Sequence, residues 1–112
     1  MAKLIDLREE SRKRSNSIET LTYFLKEEIQ DNDIKGLSVE RTMHMGEVVD
    51  IKICKEKWFG KEEVMQIRDD GTETARLESI RVLNIGYKEA AFNIAKRYEM
   101  LFNKGEVSVY IN

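Results

Sequence analysis

The sequence predicts an α+β domain with an N-terminal amphipathic helix, a three- or four-stranded, mostly antiparallel sheet, a long C-terminal helix, straight or kinked at Gly86, and a final edge strand. Three observations lead there. Apolar residues recur at helical spacing over 17–30, the period changes to two over 37–68, and a seven-residue spacing returns between Leu77 and Leu101.

The first helix is predicted from Ser17 to about Gln30, opened by the capping-box pair Asn16 and Glu19. Its buried stripe is Ile18, Leu21, Leu25 and Ile29, with Tyr23 and Phe24 widening the apolar arc. Residues 1–16 read as a polar, mobile segment ahead of a single domain, 17–112, and the run Asp31 to Gly36 supplies the stop. From Leu37 the residues Leu37, Val39, Arg41, Met43 and Met45 alternate with Ser38, Glu40, Thr42 and His44, the pattern of a half-buried strand. A turn at Gly46-Glu47 leads into a second strand, Val48 to Lys55, and Glu63 to Arg68 forms a third.

Asp70-Gly71 admits two continuations. It fits a hairpin turn with a return strand beginning at Thr72, so that 72–80 is strand, or Asp70 and Glu73 form a capping box that opens a helix. The helix accounts for the stripe Leu77, Ile80, Asn84, Tyr87, Ala91, Ile94, Tyr98 and Leu101, which steps by three and four without slipping. Asn103 and Gly105 end it. A helix of about 31 residues is roughly 46 Å long, more than a domain of this size spans. The helix therefore either bends at Gly86 or offers this stripe to another chain as an oligomerisation seam, with Asn84 fixing register. Glu106 to Ile111 is the last strand, placed at a sheet edge where it can pair with another chain.

Composition narrows the function classes. Nineteen basic and 21 acidic residues give a net charge of −2, which argues against a general phosphate-binding protein. The single cysteine, Cys54, rules out an internal disulfide and fits a cytoplasmic protein, and no apolar run has the length of a membrane span or a signal peptide. No cofactor or metal motif is present.

Catalysis lacks its usual agents. His44, the only histidine, lies on the polar strand face without a nucleophile beside it, and Cys54 has no base or oxyanion loop. The adjacent carboxylates, such as Glu27-Glu28 and Asp69-Asp70, are the solvated surface expected of an acidic chain. Two features remain. Arg8, Arg12, Lys13 and Arg14 form a basic run that reads as a solvated tail or as a set of phosphate contacts. Trp58 and Phe59, flanked by Lys57 and Lys61, either close one end of the core or form an aromatic hot spot rimmed by charge.

These features point to a small, non-enzymatic regulatory or adaptor protein, itself a homo-oligomer, that binds a further protein through Trp58 and Phe59. The alternative is a dimeric nucleic-acid-binding transcription regulator that uses the basic N-terminal run. No membrane association is expected.

Overall fold

A computed structural model describes residues 7–32, 36–102 and 105–112, with side chains except at 7–13, 15 and 47–49. Helix α1, Leu7–Asp31, is followed by strands β1 Leu37–His44, β2 Glu47–Lys57, β3 Gly60–Asp69 and β4 Leu77–Val82. A 3-10 turn at Ile85–Tyr87 leads into helix α2, Lys88–Phe102, and the chain ends in β5, Ser108–Ile111. The sheet has five strands in sequence order, one more than the largest number expected. Its first three pairings are antiparallel, and β5 lies parallel to β4 at the edge, with α2 as the crossover.

Both helices contribute to one core, which includes the inner-face residues Ile51, Ile53, Met65, Ile67, Ile80 and Val82 of the sheet. The predicted α1 stripe of Ile18, Leu21, Leu25 and Ile29 is buried, and Phe24 joins it while Tyr23 faces solvent. Phe24 meets Tyr98 of α2 edge-on at 5.4 Å, and the Tyr98 hydroxyl accepts a hydrogen bond from the Leu77 N–H at 3.2 Å, tying both helices to β4. Beside them Arg97 pairs with the nearly buried Glu28 at 3.5 Å. Burial pushes the Glu28 carboxyl above its ordinary range, against the lowering pull of Arg97.

Two expectations about the helices are corrected. The helix over 17–30 begins ten residues earlier, at Leu7, because Arg, Glu and Lys continue helical geometry and nothing between 7 and 17 breaks it. Asn16 is therefore no cap; its carbonyl accepts from the Thr20 hydroxyl within the helix.

The long helix over 70–103 does not exist as one element. Its first part is the connection 70–76 and strand β4, so the hairpin reading of 72–80 holds from Leu77. The cause of the misreading is a bulge. Arg68 pairs with Ser79 but Asp69 pairs with Leu77, which leaves Glu78 unpaired and returns Leu77 to the buried side. The bulge thus spaces Leu77 and Ile80 by three, as a helix would. True helical spacing begins only in α2, where Ala91, Ile94 and Tyr98 are buried against the sheet. Asn84 accepts from the Gly86 N–H at 2.9 Å and caps the 3-10 turn, instead of fixing the register of paired helices. Asn103, expected to stop the helix, lies outside the described residues.

Asp70 does not cap a helix either. Its Oδ1 accepts from the Thr72 N–H, the Thr72 hydroxyl and the Arg76 N–H at 3.0, 2.6 and 3.1 Å, and its own N–H donates to the Arg76 carbonyl at 2.9 Å. The carboxylate thereby closes the β3–β4 connection on itself. Partial burial opposes its charge, but those hydrogen bonds and the Arg76 charge hold its carboxyl below the usual range.

Two outcomes follow from this packing. Ile94→Asp places an unpaired charge against the sheet and should cost about 4 kcal/mol or more, measured by urea denaturation. Asp70→Ala should cost about 1 to 2 kcal/mol at neutral pH. Because the folded-state pKa of Asp70 is depressed, its charge contributes stability above the unfolded-state pKa, and that contribution disappears as pH falls through the folded value. The gap between wild type and Asp70→Ala should therefore narrow on acidification, as read from melts across the acid range.

Candidate functional site

Strands β2 and β3 stay paired out to Lys57 and Gly60, which leaves Trp58 and Phe59 as a two-residue hairpin loop. Gly60 takes φ +144°, a conformation open to glycine and strained for other residues. With no slack in the loop, neither aromatic ring can turn back over the core. Trp58 is 95% exposed and Phe59 69%. The two rings meet edge-on, with centroids 5.2 Å apart and planes at 85°. Core closure by Trp58, one of the two arrangements open from sequence, is excluded.

Lysines frame the tip, as expected, but each is engaged. Lys57 pairs with Glu62 at 3.6 Å and has its ammonium 5.9 Å from the Phe59 ring centroid. Lys61 pairs with Glu40 of β1, and this contact holds the Glu40 carboxyl below its ordinary range and the Lys61 ammonium above its own. On the same end of the sheet the Lys55 ammonium stands 5.9 Å from the Tyr87 ring, and Asn84 donates to Glu62 at 3.4 Å. The tip is an apolar knob in a ring of balanced charge.

The remaining candidate residues are dispersed. Side chains of Arg8, Arg12 and Lys13 lie outside the described residues. Arg14 bonds Asp69 at 2.9 Å and also donates to the Thr72 carbonyl, so it braces the β3–β4 connection. His44 is exposed beside the β1–β2 turn, where Met45 and Gly46 take φ 52° and 82°. Cys54 is buried, and that burial, reinforced by Glu40 and Glu63, pushes its thiol up, away from a reactive thiolate. Of the oligomerisation stripe, Leu77, Ile80, Ala91, Ile94 and Tyr98 are spent in the core of one chain, Asn84 and Tyr87 are partly buried at the 3-10 turn, and Leu101 is exposed. They form no helical seam.

One feature has no counterpart in the sequence reading. The sheet face opposite the helices holds an open groove of about 650 Å³, whose lining includes Asp50, Gln66, Arg68, Ser79, Arg81 and Tyr110. Asp50, Gln66 and Arg68 lie on strands that the alternation predicts, but Ser79 and Arg81 lie in the stretch read as helix, so no pattern joins them. Among the described residues no group of three or more His, Cys, Asp and Glu is placed to hold a metal, and no helix is long and apolar enough to cross a membrane. Comparisons with protein-family models, curated proteins and solved structures find no match for the chain.

Proposed function

We propose that the chain is a small non-enzymatic regulatory or adaptor protein that binds another protein through the Trp58-Phe59 tip and works as a homo-oligomer. The observation that supports this is the 95% exposure of Trp58 on a hairpin whose pairing runs to its last residue. A tryptophan held in water by a rigid loop contributes nothing to folding, whereas the same ring seated in a partner's pocket carries a large share of binding energy. The fixed loop also spares most of the ordering cost that a flexible segment incurs on binding.

The charges support a protein partner over a phosphate backbone. Lys57 and Lys61 are neutralised by Glu62 and Glu40, which leaves little positive field around the rings. The N-terminal nucleic-acid reading likewise loses Arg14 to Asp69.

Affinity capture from the native host with wild type and Trp58→Ala tests the proposal. Trp58→Ala should change folding stability by no more than about 0.5 kcal/mol in a thermal or urea melt, as for a surface substitution. It should weaken the captured partner by about 2 kcal/mol or more. A variant that melts like wild type and keeps its partner at full affinity defeats the assignment.

A further inference from the structure

We propose that β5 pairs antiparallel with β5 of a second copy, joining the two sheets edge to edge. This rests on the homo-oligomer reading and says where the second copy sits.

The backbone sets the geometry. Asn112 N–H donates to the Val82 carbonyl at 3.2 Å, and Val82 is the register partner of Ile111. Alternation along a strand then directs the backbone groups of Ser108 and Tyr110 toward β4 and those of Val109 and Ile111 away from it, to the open edge. An antiparallel neighbour must meet Val109 and Ile111. A second copy does so by symmetry: Val109 faces Ile111 of the other chain in a doubly hydrogen-bonded pair, Ile111 faces its Val109, and the two Tyr110 residues oppose each other on the two-fold axis.

The side chains select a copy of this chain as the occupant. Ser108-Val109-Tyr110-Ile111 holds no charge and no proline, so the strand meets itself without repulsion or a missing donor. The opposite edge is defended: β1 carries Glu40 and Arg41, and its pairing with β2 is interrupted by a bulge. Apolar side chains are exposed at both edges, Met43 on β1 among them, but of the two edge strands only β5 is free of charge. Tyr110 is 59% exposed and Ile111 43%. As the crossover between parallel strands, α2 runs back along β5, so its first turns lie toward the Ile111 end. Glu99 of α2 accepts from the Val107 N–H at 2.6 Å, which marks the helix side turned to β5, and Phe92, two turns earlier on that side, is 41% exposed. Pairing covers the edge and brings this apolar rim against its copy.

Light scattering coupled to size exclusion, read beside analytical ultracentrifugation, tests the pairing. Wild type should show twice the 13.1 kDa chain mass. Ile111→Pro removes an outward N–H and leaves the Asn112 bond to β4, so it should raise the dimer dissociation constant about tenfold or more by deleting one edge bond from each chain. Ile111→Ala keeps the N–H and should have a much smaller effect. Register is read by cross-linking: opposed residues in a non-hydrogen-bonded pair lie about 4.5 Å apart at Cα, within disulfide reach, so Tyr110→Cys should form a covalent dimer under mild oxidant. Ile111→Cys should not, because its symmetry mate lies beyond that reach. If Ile111→Pro fails to fold, the cross-linking pair decides alone. A monomeric wild type overturns both this pairing and the homo-oligomer reading. A dimer that is indifferent to Ile111→Pro, or that links through Ile111→Cys but not Tyr110→Cys, overturns the pairing and leaves that reading standing.

Discussion

The carboxylate of Asp70, which accepts three hydrogen bonds inside the β3–β4 connection, is the contact on which the arrangement of the C-terminal half depends. By closing residues 70–76 into a compact loop it sends the chain back along β3 as a strand. Once β4 is a strand it needs a second neighbour, and the nearest chain available is the segment returning from α2. That return requires a crossover, which makes β5 parallel and lays α2 across the inner face. Arg14 fastens α1 to the same loop through Asp69, so the first helix takes its bearing from that corner as well.

With both helices on one face, the sheet is wet on the other. The inner face is apolar along β2, β3 and β4, while the outer face carries Lys52 within 4.0 Å of both Asp50 and Glu63, Lys61 beside Glu40, and Arg68 against Glu78. Exposed pairs of this kind add little stability. They keep this face charged, and large apolar groups are exposed instead at places such as the Trp58-Phe59 tip and β5, where binding is proposed. These lie on different parts of the sheet, the tip at the β2–β3 hairpin and β5 at the edge, so the two proposed contacts do not compete for the same surface.

Where side-chain period and backbone geometry agree, the fold is legible in the sequence. The α1 stripe follows from burial of one face and is read directly from Ile18 to Ile29, and Ile51, Ile53, Met65 and Ile67 are the inward residues that alternation picks out in β2 and β3. Strand β1 departs from it: Leu37 to Glu40 are all half-buried, and Arg41, Met43 and Met45, expected to face the core, are exposed on the uncovered end of an edge strand. The reading fails at Glu78 because a bulge adds one residue to a strand, and two plus one is three, the short step of a helix. No periodicity separates those cases; the Asp-Gly pair ahead of it was the better signal. Val64 is a second example: it is the extra residue between Glu63 and Met65, and it places two adjacent side chains, Val64 and Met65, in the interior.

The hairpin tip was legible in composition but not in conformation. Lys57-Trp58-Phe59-Gly60 lacks the Asn-Gly or Asp-Gly pair that marks a two-residue turn, and without that marker an aromatic pair in a connection is as well suited to core closure as to display. Strand register decides between them. Because pairing persists through Lys55 with Glu62, Glu56 with Lys61 and Lys57 with Gly60, the rings are carried beyond the covered part of the sheet and held there by the ladder behind them. Exposing two large rings to water is unfavourable, and their edge-on contact and the nearby Lys57 ammonium cover them only in part. An exposed aromatic pair, fixed in place by strand pairing and ringed by neutralised charge, is the composition of a binding hot spot, and it is on this that the proposed partner contact rests.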